Sequence, residues 1–133
     1  MSGHALVIGE ALVDVVVRTD GSVQSHPGGS PANVALGLGR LGRDVELLAY
    51  LAEDDNGAVV REHLGASGVA LASGSLDAPT TSVATARLDA TGAATYDFDL
   101  TWDLSAQSSP RPQPIVVHTG SIAAVLAPGA AKV

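Results

Sequence analysis

The chain has no cysteine, a single lysine and only four aromatic side chains (two Tyr, one Phe, one Trp) among its 133 residues. Without cysteine there are no disulfides, no thiolate metal sites and no thiol nucleophile. The one lysine, Lys132, excludes a GxxxxGK phosphate loop, and its terminal place argues against a Schiff-base role. Basic residues are scarce as well: seven Lys and Arg stand against 14 Asp and Glu, a net charge of −7. With no Lys/Arg cluster, neither nucleic acid nor an anionic membrane is expected as a partner. No apolar run approaches the roughly 18 residues of a membrane-spanning helix. Met1-Ser2-Gly3-His4 lacks a basic leader, and the apolar stretch after it is broken by Glu10 and Asp14. No signal peptide is therefore expected, and a soluble cytoplasmic protein is. What is present is a 46% hydrophobic chain, which excludes intrinsic disorder. At roughly 150 residues per domain its length allows one domain.

Ala5–Ile8, closed by Gly9, reads as a short buried strand, and Leu12–Val17 as a second strand rich in β-branched residues. Asp20-Gly21 marks a turn. Pro27-Gly28-Gly29-Ser30-Pro31 is the strongest punctuation in the chain. It predicts a helix from Pro31 to about Leu41, with Ser30 as N-cap and Pro31 at the first helical position. Val34, Leu38 and Leu41 form its expected apolar face, and Gly42 ends it. Val45–Leu51 reads as a third strand. The acidic turn Glu53 to Gly57 opens a second helix over about 57–67, with Val60, Leu64 and Ala58 as its inner face and Gly68 as its stop. Ser82–Leu88 and Ala93–Leu100 form a hairpin around residues 89–92. The Pro- and Ser-rich stretch 103–114 is a loop, Ile115–His118 a last buried strand, and Pro128 opens a short helix. Strands alternating with helices predict an α/β layer with a mostly parallel sheet, and Leu12–Val17 with the hairpin predict a separate small sheet.

Four features bear on chemistry. Asp14 interrupts the apolar run 11–17 and shares a strand face with Leu12 and Val16. It is either a solvent-facing strand residue or a carboxylate that accepts protons from ligand hydroxyls. Gly28 and Gly29 before a helix start leave backbone N–H groups bare, and Asn33, expected at the third helical position, adds an amide with donors and an acceptor. The set is either a tight turn with a cap or, with Asp14, a polyol site. Gly37-Leu38-Gly39-Arg40-Leu41-Gly42 matches GxGxxG, but it follows a helix start rather than a strand. It therefore reads as glycines for close helix packing rather than a dinucleotide site. Tyr96, Phe98 and Trp102 crowd together, with Tyr96, Phe98 and Leu100 on one strand face. They form the small sheet's core, or an apolar wall over a ligand or a subunit contact. The four histidines, His4, His26, His63 and His118, have no metal-ligand spacing, and no metal site is expected.

Taken in order, Gly9-Glu10-Ala11-Leu12-Val13-Asp14, Gly28 to Ala35, Leu41-Gly42, Asp54 to Gly57, Leu64 to Val69, Thr80-Thr81 and His118 to Ser121 resemble the PfkB carbohydrate kinases, the ribokinase-like family, over that family's N-terminal half. The resemblance implies an α/β fold: the N-terminal part of a doubly wound sheet with a small β-sheet lid. Core segments would be about 1–10, 28–72 and 115–133, and lid segments about 11–27 and 80–102. It implies that Asp14, Gly28, Gly29 and Asn33 hold sugar hydroxyls, with Phe98 on the substrate side of the lid. Leu12 and Ser30, where ribokinases carry Asn and Lys, make the pattern more similar to the fructokinase-like branch. The family transfers phosphate from ATP, with Mg²⁺, to a sugar hydroxyl, through an aspartate in a GAGD motif. This sequence has no GAGD; Pro128-Gly129-Ala130-Ala131 does not match it. The expectation is thus the sugar-binding half of a hexose kinase without catalytic base or ATP site, pairing through its lid as a homodimer. The competing expectation is a non-catalytic sugar-binding or interaction module complete at this length.

Overall fold

The computed structural model describes residues 3–133; Met1 and Ser2, part of the stretch read for a leader, lie outside the described residues. Two four-stranded sheets organise it. The first has the order β5-β4-β1-β8, built from β1 (Ala5–Ile8), β4 (Val45–Leu48), β5 (Val69–Leu71) and β8 (Val116–Thr119), with every pair parallel. The second has the order β3-β2-β6-β7, from β2 (Leu12–Val17), β3 (Val23–Gly28), β6 (Val83–Leu88) and β7 (Ala94–Asp99). In it β2 runs parallel to β6, while β3 and β7 run antiparallel at the two edges. Helix α1 (Ser30–Arg40) lies on β1, β4 and β5, and α2 (Asp55–Ala66) bridges β5 to β2 and β3. The expected parallel layer and separate small sheet are both present.

The principal core joins the two sheets. Ala5, Val7, Val45 and Leu47 on one face of the parallel sheet meet Ala32, Ala35 and Leu36 of α1, Val60 and Leu64 of α2, and Val13 of β2. The opposite face carries a smaller cluster of Leu6, Leu48 and Ala72, with Ile8 and Leu104 against it. There the loop 103–114 does the covering. The buried Glu46 carboxylate accepts from the Arg111 backbone N–H at 2.8 Å and lies 3.7 Å from its Nε. Asp44 takes the two terminal guanidinium nitrogens at 2.7 and 3.2 Å. This pairing holds the Asp44 carboxyl below its ordinary range and raises Arg111 above its own.

Several local expectations are corrected. The helix begins one residue early: Gly29 is the N-cap, at φ 102°, and makes no side-chain cap. Ser30 is therefore the first helical residue, Pro31 the second and Asn33 the fourth. The inner face of α1 is Pro31, Ala32, Ala35 and Leu36; Val34 and Leu38 are half-buried, and Leu41 is 78% exposed. Small residues win that face because the helix packs close. A Cβ at Gly39 would collide with the Ser67 carbonyl oxygen, which supports close packing there, although against the end of α2. Gly37 faces open space. On α2, Gly57 takes the buried place expected of Ala58. The third strand stops at Leu48, though Ala49 and Leu51 stay buried. The strand at 116–119 is exposed along its length rather than buried, because α1 and α2 pack on other strands and leave this edge strand uncovered. Strands β3 and β5 had no counterpart in the sequence reading.

Candidate functional site

Ligands of open parallel sheets gather at the carboxyl ends of the strands. At that end of β1 the chain runs Gly9-Glu10-Ala11 straight into β2, and the β3–α1 junction crosses directly against it. A Cβ at Gly9 would collide with the Pro31 ring, and one at Gly29 would stand 2.5 Å from the Glu10 carbonyl oxygen and 3.1 Å from Ala11 Cα. Gly29 is doubly constrained, since its φ of 102° is also one that other residues rarely adopt. Nothing but glycine lets these two turns interlock, and the interlock sets α1's uncapped N-terminus beside the start of β2.

From that start, β2 presents Leu12, Asp14 and Val16 to one face. Gly28 lies opposite Leu12 and His26 opposite Asp14 in the β2–β3 register. The Asp14 carboxylate folds back over Gly28: a Cβ there would collide with Oδ2 and stand 3.1 Å from Cγ. On the other side Asp14 pairs with Ala84, which pairs with Phe98; Val16 pairs with Ala86, which pairs with Tyr96. The result is a concavity of about 270 Å³ with Asp14 on one flank, Ala84 and Ala86 as its floor, and Tyr96 and Phe98 as the far wall. The two rings stack with centroids 5.9 Å apart and planes 5° from parallel, and are 60% and 65% exposed.

The expected site residues are thus gathered unequally. Asp14 and Phe98 line one concavity, Gly28 packs on Asp14, and Gly29 follows Gly28. Asn33 sits one helical turn beyond Gly29, to whose carbonyl its backbone N–H donates at 2.9 Å. Its side chain is exposed and does not line the concavity. Trp102 leaves the aromatic group altogether: it is 2% exposed, and its indole N–H donates to the Ala123 carbonyl at 3.0 Å. The GxGxxG stretch falls on the last turns of α1 and just beyond, not at a strand-to-helix turn, which removes the dinucleotide reading.

Two carboxylates escaped the sequence reading in their roles. Glu10 is buried and accepts from Ser121 Oγ (2.9 Å), Ile122 N–H (3.3 Å) and Ala123 N–H (3.0 Å). It fastens the loop after β8 to the β1–β2 junction. Its place between Gly9 and an apolar strand was a sufficient signal, since a carboxylate there needs partners. Asp54, expected as a capping acid, does more. It caps α2 through the Gly57 N–H (2.7 Å) and also takes the Thr81 hydroxyl (2.7 Å) and backbone N–H (2.9 Å). The Thr81 hydroxyl, then its N–H, hold the Asp54 carboxyl below the usual carboxylate range. A second concavity, of about 310 Å³, opens between Ala5, Leu38, Asp44 and Ile115 at the opposite, amino-terminal end of the parallel strands.

Residues 3–120 match the pfkB family carbohydrate kinase profile. The chain belongs to the pfkB family of carbohydrate kinases. It is 36% identical over 99 residues to a fructokinase of Klebsiella pneumoniae, covering 74% of this chain and 32% of that protein. A fructokinase of Xylella fastidiosa solved with bound ATP superposes with a TM-score of 0.64 at 26% identity, over 75% of this chain and 34% of that one. A ribokinase of Cryptococcus neoformans in complex with ADP superposes at 0.63 and 25% identity, over 73% and 34%. The chain therefore spans about a third of the length of these pfkB relatives, in agreement with the fructokinase-like, ribokinase-fold resemblance carried by its Gly9–Asp14 and Gly28–Ala35 motifs. Among the described residues no helix is long and apolar enough to cross a membrane.

Proposed function

We propose that this chain is the sugar-binding part of a fructokinase-like kinase, and that the Asp14 concavity is where the sugar lies. The observation that carries the reading is the joint placement of Asp14, Gly28 and the Tyr96–Phe98 wall on one open sheet face. An ionised carboxylate is an acceptor only, suited to sugar hydroxyl protons. The stacked rings offer an apolar surface to the sugar's C–H face. Gly29 and the uncapped start of α1 supply backbone N–H donors nearby, and the exposed Asn33 amide, one helical turn beyond Gly29, is the remaining donor of the reading. A hexose is the substrate, as in the fructokinase relatives, and the cytoplasm its compartment.

ATP and Mg²⁺ belong to the complete kinase. The acids flanking the site fit a metal poorly: both oxygens of Glu10 and of Asp54 are committed to protein donors. Among the described residues no three His, Asp or Glu side chains gather as a metal site. Because the sequence has no GAGD motif, this reading assigns no phosphoryl-transfer step to the chain and takes the catalytic base and nucleotide site to lie outside it. The chain's own contribution is to bind the sugar and orient it by the Asp14 carboxylate. Pairing of two lids into a homodimer is part of the same reading, with the exposed Tyr96 and Phe98 as its surface.

Titration calorimetry with D-fructose, D-glucose and D-ribose tests this. Binding of a hexose at millimolar concentration or below is expected. Loss of a charge-assisted hydrogen bond typically costs about 1.5–3 kcal/mol, so Asp14→Ala should weaken binding about 10- to 150-fold. A folded protein that gives no heat with any sugar would overturn the sugar site. Formation of sugar phosphate from ATP by this chain alone would overturn the placement of catalysis outside it.

A further inference from the structure

We propose that His26 is a second sugar-binding side chain, the hydrogen-bond donor that completes Asp14 for gripping a vicinal diol. The proposal rests on the reading of this face as a sugar site, and it names a residue that the family resemblance did not assign. His26 is the direct cross-strand neighbour of Asp14 in the antiparallel β2–β3 pair. Such partners share a face, with Cβ atoms about 4.5–5.5 Å apart. The row His26–Asp14–Ala84–Phe98 therefore crosses the whole sheet on the open side. The opposite side, through Val13, Val60 and Leu64, is buried against α2.

Chemistry explains why a histidine belongs there. Each hydroxyl of a diol can both donate and accept, so a firm grip needs an acceptor beside a donor. Asp14 can only accept, while an imidazole carries at least one N–H in either protonation state. His26 is exposed, and among the described residues it has no ion-pair partner. The next polar residue along the same face, Gln24, is already held by Arg18, whose guanidinium donates to Oε1 at 2.9 Å. His26 is the donor-bearing side chain of β3 that stands beside Asp14 with its ring uncommitted. The floor of alanines keeps the trough open between Asp14 and the aromatic wall, and His26 stands outside that lining, at the rim next to Asp14. A sugar lying there meets acceptor and donor along one edge and stacked rings along the other.

The test is NMR of the imidazole ring protons during titration of the 133-residue chain with D-fructose, beside calorimetry of His26→Ala and His26→Gln. The His26 signals are expected to move along a saturation curve that matches the calorimetric one, while those of His63 on α2 and His118 on β8 stay fixed. His26→Ala should weaken fructose binding by about 2- to 12-fold, the range for a neutral hydrogen bond. His26→Gln, which keeps a donor, should recover part of it. The wild-type titration does not depend on either variant folding. If Asp14→Ala loses the sugar while the His26 ring signals never move and His26→Ala binds as wild type does, the His26 assignment is overturned and the sugar site stands. If the wild-type chain takes no sugar at all, both are overturned.

Discussion

At the scale of single residues, the site depends on where side chains are missing. Gly28 has no Cβ, and the Asp14 carboxylate fills that space. Gly28→Ala would therefore push the carboxylate off its seat without removing it. Sugar affinity in Gly28→Ala should fall nearly as far as in Asp14→Ala, while the far-ultraviolet circular dichroism keeps its wild-type shape. Binding as tight as wild type in Gly28→Ala would show that the seat of Asp14 is unimportant. Sequence alone marked both residues, because a carboxylate in an apolar strand and paired glycines before a helix are each unusual. It could not show that one sits on the other, since the contact depends on the β2–β3 register. The same holds for His26. In sequence it is an isolated histidine before a proline, and only the pairing of Asp14 with His26 makes it a neighbour of the site.

At the scale of elements, what was legible tracks the strength of the local pattern. β1, β2 and the β6–β7 hairpin were readable because their runs are β-branched or alternate cleanly. β3, with the sequence VQSHPG, has no apolar alternation and contains a proline, features tolerated because it is an edge strand. β5 has only three residues, too few for a periodic signal. The inner face of α1 is not legible from its large aliphatics, because close packing selects the small residues Ala32 and Ala35 there.

The Asp54 junction gives the element-scale prediction. One carboxylate caps α2 and also ties it to Thr81, just ahead of the strand that floors the concavity. Thr81 Oγ1 in turn accepts from the Ala52 N–H at 3.0 Å. Loss of a helix cap costs about 0.5–2 kcal/mol, and Asp54→Ala should destabilise the chain to urea by at least that range's middle at pH 7. Because the folded-state pKa of Asp54 is lowered, its contribution is fully present above the unfolded value of about 3.9. It is lost as pH falls through the lower folded-state value. The wild type and Asp54→Ala should therefore differ clearly at pH 7 and converge in strong acid. A constant difference across that range would mean that the carboxylate's charge plays no part.

At the scale of the whole molecule, the parallel sheet, the lid-like sheet and their shared core account for the fold, but two apolar surfaces remain uncovered. One is the Tyr96–Phe98 face of the second sheet, and the other is the edge strand β8 with the residue before it, where Ile115, Val116 and Val117 are all more than half exposed. An exposed apolar edge strand and an exposed aromatic patch both favour association. The two surfaces make different complexes. Contact through the lid face is self-complementary and closes as a two-fold dimer. Contact through the β8 edge would extend the parallel sheet and leave the lids free. The aromatic face is the one expected to prevail, because large rings contribute more buried area per residue than valines on a four-residue edge. Light scattering at micromolar concentration should accordingly give a dimer, and the double variant Tyr96→Ser, Phe98→Ser should give a monomer. A dimer that survives this change but is lost in Val117→Lys would move the interface to β8. A wild-type monomer would show that neither surface suffices to hold two copies together.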